Sequence, residues 1–578
     1  MPRIKILKRV VLVALAVITV RLFFIQIIEH DQWVAKANDQ HTMVETIVAK
    51  RGEIYMMDGD TPVPVVLNQT TYSVIIDPAI AKKDDVQNVL NTNAKDYLSA
   101  NLDEVYAHPN LRYFVVAKNV PRSNATKIAE AKISGIWFQS NNQRVYPEGD
   151  MASGLLGFVN ADGIGQYGVE GSLGKILAGK DGLIKSISDI NNVALSIGND
   201  NVKIPAENGK DIVLSVDRGL EKGVEEVMAG YLEESPATNA AAIVMEPTTG
   251  KILAMANLPN YNPADYGNVK DASAYTNYTT EIPYEPASIC KSFTFSAAIN
   301  EGVMTPETTY FNQGYETIDG WPIKNAAQDA KLYGTIDMRT ALSWSLNTGS
   351  IYALKLLGGN TEEINRAGRE KLYDYYYNKF RLSRPTGIEL IEGEGFLQDP
   401  NEGYGRNSAY ANMTFGQNLG ITMIQTATAF SAVINGGYYR TPSVVAGTLE
   451  GNGTILPLEN PDYVEAQILK TETSDTMRDL LINNRKSKVR YGIDKEGYAV
   501  GGKSGTAQVI VDGKYDASMD ELVGSYIGFG GPSGELPKYV IMVKIWGEGQ
   551  ALNGELASLL FDSLSNYTID YLKIKPKE

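Results

Sequence analysis

The sequence predicts an α+β protein: a single N-terminal transmembrane helix, an elongated α+β pedestal, then a catalytic domain whose antiparallel sheet is flanked by helices and carries an inserted helical subdomain. Three observations support this. Val10 to Ile28 is an apolar run of 19 residues, about 28 Å of helix at ~1.5 Å per residue, enough to cross a bilayer core. From residue 51 to about residue 210, strand-like alternations mix with polar helices and a glycine-rich stretch. From Ala240 onward the order is strands, a large helical middle, strands, then a closing helix, which fits an antiparallel sheet with an insertion.

Taken in order, residues 1–9 carry Arg3, Lys5, Lys8 and Arg9, and this charge places them in the cytoplasm. The apolar run 10–28 ends in Arg21 to Ile25 and not in a small-residue cleavage site, so it reads as an uncleaved anchor instead of a signal peptide. Arg21 and Gln26 inside it either snorkel or grip a partner helix. Residues 29–50 are a juxtamembrane linker, with a short helix over Trp33–Gln40. The pedestal spans 51–205. There Asp58-Gly59 reads as a turn, Thr71 to Asp77 as a strand stopped by Pro78, and 84–98 as a polar helix. Six glycines between Gly154 and Gly171 mark turns and close backbone contacts. Residues 206–239 hold a connecting strand (211–217) and helix (220–232). The catalytic domain covers 240–572. It opens with a hairpin (240–246 and 251–256, turn at 247–250), and its late strands are 500–511, 525–529 and 539–546. A helix over 552–572 closes it, and 573–578 is a tail.

Composition narrows the function. A formal net charge of −15 excludes a nucleic-acid partner. The basic run from Arg485 to Arg490 reads as a solvated loop. With one cysteine, Cys290, there is no internal disulfide and no multi-cysteine metal site. The thiol reads as a small buried hydrophobe. The three histidines, His30, His41 and His108, all fall in the first fifth of the chain. Serine chemistry in the bulk of the chain therefore favours a lysine base over a histidine.

Tyr284 to Phe293 supplies such a pair. Pro286 suits a first helical turn, and Ser288 to Ile299 reads as an apolar helix. Ser288 and Lys291, three apart, share a surface. Ser172 and Lys175 repeat the spacing, so the pair alone decides nothing. Two further motifs do: Ser345-Leu346-Asn347, 57 residues after Ser288, and Lys503-Ser504-Gly505-Thr506 on the strand 500–511. Each is weak alone. Their order, with helix, loop and strand contexts, makes the signal specific.

With these motifs the chain resembles the class B penicillin-binding proteins, monofunctional peptidoglycan transpeptidases of bacterial division and elongation. The resemblance covers nearly the whole chain. Arg51 to Ile54 is similar to the start of the family's extracytoplasmic part, Arg144 to Gly171 to its pedestal signature, and Ala242 to Ala256 to its first core strands. Phe415 to Thr422, with Gln425, is similar to a stretch supporting the active site. Ala287 and Asn418 stand where glycine is commoner, Cys290 replaces phenylalanine, and Met56-Met57 dilutes an expected Asp-Arg-x-Gly. The stretch from Leu156 to Gly171 looks more like the septal type.

The resemblance implies roles. Ser288 attacks the penultimate D-alanine carbonyl of a stem peptide, releasing terminal D-alanine and leaving an acyl-enzyme. Neutral Lys291, with its pKa lowered by burial and by Lys503, is the expected base. Ser345 relays the proton, Asn347 binds the substrate backbone, and Lys503, Ser504, Gly505 and Thr506 receive its carboxylate. The N–H groups of Ser288 and Thr506 form the oxyanion hole. Stem peptides are the expected substrates and β-lactams the covalent inhibitors. A polytopic membrane glycosyltransferase and other division proteins are the expected partners, and no metal or organic cofactor is implied. The same motifs serve D,D-carboxypeptidases and β-lactamases. A catalytically weak scaffold of the division complex is a further alternative. Tyr373 to Tyr377 reads as lid or surface packing.

Overall fold

The computed structural model describes residues 2–33, 36, 42–108, 112–187, 202–326, 332–402, 406–487, 494–508, 510–511, 514–515 and 520–577. They form two compact units, Met1–Gly52 with Ala178–Lys210, and Glu53–Leu177 with Asp211–Glu578.

In the first unit the helix Pro2–Phe23 runs on as a π turn, Phe24–Ile28. The span Arg3–Ile28 has 26 residues and a mean hydropathy of 2.6, and its apolar surface is uncovered by protein. Such a surface calls for lipid. Most of the expected helix Trp33–Gln40 lies outside the described residues. Thr42–Ile47, Gly182–Ile187 and Val202–Ile204 form a small antiparallel sheet. Gly182 permits this pairing, since a Cβ there would sit 2.4 Å from the Ile204 carbonyl oxygen.

In the second unit the pedestal is built on one long strand, Thr61–Ile76, which pairs with Ile54–Asp58, Phe114–Pro121 and Ile136–Val145. It begins ten residues before the strand expected from Thr71, because Pro62 and Pro64 mask the alternation and are accommodated beside a register shift at Ile54/Tyr55. Asp211–Asp217 pairs parallel with Ile54–Asp58 and antiparallel with Val445–Leu449. A strand from the C-terminal half therefore completes the pedestal sheet. Arg144 and Glu170 form a buried ion pair, Nε to Oε1 2.8 Å. Replacing Arg144 with methionine leaves the Glu170 carboxylate buried without its countercharge. We expect a loss of about 3–5 kcal/mol, read by denaturant unfolding of the second unit.

The helix Arg218–Glu234 is capped by Asp217, whose carboxylate accepts the N–H of Gly219 and Leu220. Glu225 on this helix takes the N–H of Ala152 at 2.8 Å and Glu221 that of Met255 at 2.7 Å, tying pedestal to catalytic sheet. Burial raises both carboxyl pKa values.

The catalytic sheet is antiparallel throughout, in the order Ile252–Leu258, Asn239–Met245, Tyr539–Trp546, Leu522–Pro532, Tyr498–Gln508. The helices Arg218–Glu234 and Gly554–Tyr571 cover one face. Lys291–Asn300 and Met423–Ile434 cover the other, within a core that also takes in Ile54, Val66, Leu155 and Ile212 of the pedestal. Tyr498–Gln508 is an edge strand. The expected turn at Asp512 and Gly513 lies outside the described residues. The basic run needs correction at its first residue: Arg485 is buried, held by Asp562 at 2.7 Å and by Asp494.

Candidate active site

Ser288 sits on a 3-10 turn, Ala287–Cys290, that leads into the α-helix Lys291–Asn300. The helix thus starts later than expected, and Pro286 precedes the turn instead of lying inside it. Ala287 has a φ of 50°, a left-handed conformation that glycine adopts more readily. That explains why glycine is the commoner residue there. The strain is held from outside. Ala287 N–H donates to the Gly416 carbonyl (3.1 Å), Tyr284 and Ile421 exchange two backbone hydrogen bonds, and the Asn418 N–H donates to Glu285 Oε1 at 2.7 Å. Asn418, at φ 62°, is likewise a residue that tolerates the position glycine would fill. A Cβ at Gly416 would lie 2.0 Å from the Ala287 oxygen. The stretch Phe415–Thr422 therefore buttresses the nucleophile, as expected.

Lys291 is buried at the hub. Its Nζ lies 2.9 Å from Ser288 Oγ, 2.8 Å from Asn347 Oδ1 and 3.1 Å from Ser345 Oγ, and it also contacts the Ser345 carbonyl. These four partners are of two kinds. The Asn347 and Ser345 carbonyl oxygens only accept, whereas the two hydroxyls can also donate. A neutral amine has two N–H donors and one lone pair. An amine so placed can donate to the two carbonyls and exchange a proton with either hydroxyl. The Phe415 ring, 5.9 Å from Nζ, closes one side.

Ser345 has a φ of 59° and precedes the helix Asn347–Leu357. Asn347 is oriented by donating from Nδ2 to the Lys324 carbonyl at 2.8 Å. Lys324 ends the hairpin Tyr315–Ile318/Trp321–Lys324, a contributor nothing in the sequence signalled because it acts through its backbone.

On the edge strand the side chains alternate. Lys503 and Gly505 are buried toward the nucleophile turn, and a Cβ at Gly505 would lie 2.4 Å from the Pro286 carbonyl oxygen. Lys503 Nζ donates to the Ser504 carbonyl at 3.1 Å. Ser504 and Thr506 point the other way, toward Gly554, whose N–H donates to Thr506 Oγ1 at 2.9 Å. The structure thus brings Ser288, Lys291, Ser345 and Asn347 into direct contact and sets Lys503 and Gly505 beside them. It directs the Ser504 and Thr506 side chains to the far face. In the pedestal copy of the motif Lys175 is exposed, and no hydrogen bond joins it to Ser172.

Tyr375 and Tyr376 correct the surface reading of their run. Both are buried, and Tyr376 Oη lies 2.7 Å from Thr294 Oγ1, behind the nucleophile helix. Cys290 is fully buried, and burial pushes its thiol pKa up.

Fold and site together define a serine acyl-transfer enzyme. The comparisons make this specific. Residues 240–565 match the penicillin binding protein transpeptidase domain, and residues 46–214 match the penicillin-binding protein dimerisation domain. The chain belongs to the penicillin-binding protein transpeptidase family. It is 27% identical to Stage V sporulation protein D of Bacillus subtilis, over 97% of this chain and 84% of that protein. It is 26% identical to peptidoglycan D,D-transpeptidase FtsI of Buchnera aphidicola, over 98% and 94%. Among solved structures, penicillin binding protein 2X from Streptococcus thermophilus aligns with a TM-score of 0.73 at 24% identity, covering 91% of this chain and 80% of that one. Penicillin binding protein 3 of Mycobacterium tuberculosis, complexed with aztreonam, aligns at 0.68 and 21% identity, covering 92% and 98%. These two likenesses concern the fold.

Proposed function

We propose that the protein is a membrane-anchored D,D-transpeptidase that cross-links peptidoglycan stem peptides through an acyl-enzyme on Ser288. The observation that carries this reading is the contact of Lys291 Nζ with Ser288, Ser345 and Asn347. The donor stem peptide lies along the outer edge of Tyr498–Gln508, the last strand of this sheet among the described residues and a ready template for an extended chain. Lys503 and the Ser504–Thr506 segment receive its terminal carboxylate. Lys291 takes the Ser288 proton as Oγ attacks the penultimate D-alanine carbonyl, and the N–H groups of Ser288 and Thr506 stabilise the oxyanion. The proton passes by way of Ser345 to the departing D-alanine amine as the peptide bond breaks. An amine of a second stem peptide then attacks the ester, and its proton passes through Lys291 to Ser288 Oγ as the acyl–oxygen bond breaks, which frees the serine and leaves Lys291 neutral.

The domains proposed are a cytoplasmic tail (1–9), anchor (10–28), linker (29–50), pedestal (51–205), connector (206–239), extracytoplasmic catalytic domain (240–572) and tail (573–578). Septal wall synthesis, beside a polytopic glycosyltransferase and other division proteins, is the role the pedestal stretch favours. The likeness to a sporulation protein favours a second setting, sporulation. Depletion separates them, filaments marking the first and failed spores the second. For the chemistry, the test is to incubate the ectodomain with a fluorescent penicillin and map the adduct by peptide mass spectrometry. One adduct on the peptide containing Ser288 is the expected result. No adduct, or one elsewhere, ends the reading.

A further inference from the structure

The catalytic sheet holds a second buried lysine that this chemistry does not use. Lys544 lies on the strand Tyr539–Trp546, and the register sets Gly505, Ser525 and Lys544 in one row across three strands on the face of the nucleophile helix. At ~4.8 Å between strands, Lys544 is about 10 Å along that row from Gly505. It is 4% exposed. Its Nζ lies 4.6 Å from the ring centre of Trp546, 4.8 Å from Tyr284 and 5.5 Å from Tyr278. Among the described residues no carboxylate pairs with it. Among the described residues three aromatic faces surround it.

We propose that Lys544 is a positioning residue for the nucleophile turn: its ammonium gathers Tyr278, Tyr284 and Trp546 and, through Tyr284, sets the seat of Ser288. Tyr284 is four residues before Ser288, in the segment pinned on its other side by Gly416, Asn418 and Ile421. That outer buttress fixes the segment laterally, and the ring cage ties it down to the sheet. An ammonium among ring faces is attracted by their quadrupoles, most strongly where water is excluded, and an amine is not. The device therefore works only while Lys544 is protonated.

Burial pulls the amine down from 10.5 to about 7, with no charge to oppose it. The titratable groups on the elements packed against it are Tyr278, Glu281, Tyr284, Glu285 and Cys290 in the covering segment, Lys291 on the helix that follows, Tyr526 on the paired strand, and Tyr498 and Lys503 on the edge strand. Strand Asn239–Met245 and helix Met423–Ile434 carry none. The helix Gly554–Tyr571, with Glu555, Asp562 and Asp570, covers the opposite face. Below about pH 7 the cage is charged, and above it the charge is lost. Between about 7 and 10.5 the unfolded chain holds a proton the folded one lacks. Stability therefore rises with pH across that window and is lowest at and below its acid end.

The inference rests on the acylation reading above. The test is the rate of penicillin acylation from pH 5.5 to 9.5 for wild type, Lys544→Met and Lys544→Arg, with thermal melts of each. Wild type should show a fall in rate on the alkaline side, centred near pH 7. Lys544→Met should melt no lower than wild type at pH 6, acylate about tenfold more slowly there, and lack the alkaline fall. Lys544→Arg, permanently charged, should keep the acid-side rate and also lack the fall. An unchanged alkaline limb in either variant overturns the inference. So does an arginine variant as slow as the methionine one, which would leave charge out of the matter. A wild type that takes no label overturns both this and the proposed function, whereas label with unshifted profiles overturns this alone.

Discussion

Ser288→Ala and Lys291→Met are each expected to slow transpeptidation by about 10⁴- to 10⁶-fold, and the double variant by no more than the worse single one. The non-additivity follows from the hub around Nζ. Without Ser288 the amine has no nucleophile to activate, and without the amine the hydroxyl keeps its proton at neutral pH. The two changes differ in what they leave behind. Alanine at 288 removes a half-buried hydroxyl and should leave stability nearly unchanged. Methionine at 291 strips two obligate acceptors, Asn347 Oδ1 and the Ser345 carbonyl, of a donor. Each orphaned acceptor costs about 1–3 kcal/mol. Single-turnover acylation with melts of all three variants checks both parts. A double variant much slower than either single would mean that the residues act independently.

Gly505→Ala is the second large effect. The added methyl would meet the Pro286 carbonyl at 2.4 Å and Ser525 Oγ at 2.6 Å. The serine can rotate but the carbonyl cannot, because the segment around it is fastened through Ala287 to Gly416 and through Tyr284 to Ile421. The edge strand must then part from the nucleophile turn, which separates Lys503 from Ser288. Overpacking of this kind costs about 1–3 kcal/mol, and a shift near 1 Å at the reacting atoms costs about 100-fold in rate. A glycine-to-alanine change at Gly451, which has open space around it, is the matched control. Equal acylation by the two variants would contradict this account.

The sequence revealed the side chains that the structure gathers because each sits in a short local motif whose context is also local. Ser288 and Lys291 share a turn, Ser345 and Asn347 flank a helix start, and Lys503 lies on a long strand. What it hid was non-local or made of backbone. The Lys324 carbonyl that orients Asn347, the Gly416 oxygen that holds Ala287, and the Gly554 N–H that turns Thr506 away leave no mark in side-chain pattern. Alternation along the edge strand was legible in principle. It separates Lys503 and Gly505 from Ser504 and Thr506, a distinction a motif read as one block does not make. Lys544 sits in the apolar run Tyr539–Trp546 as a lone charge, and only pairing with Ser525 and Gly505 gives it a place near the chemistry. Pro62 and Pro64 concealed the first ten residues of the longest pedestal strand for a simpler reason, since they break the pattern by which strands are found.

The hydrophobic core behind Ser288 does not end at the catalytic half. Phe293 and Ile289 belong to the same continuous cluster as Ile54, Val66, Leu155 and Ile212. Protein interiors packed at crystal density transmit strain instead of absorbing it. A force that bends the pedestal strands therefore arrives at the nucleophile helix through packed side chains, with no flexible tether to dissipate it. A protein gripping the outer strands would hold a lever on the serine without approaching it. Equally, the reactive half could not be cut away and kept, because the cut would run through the interior of the molecule.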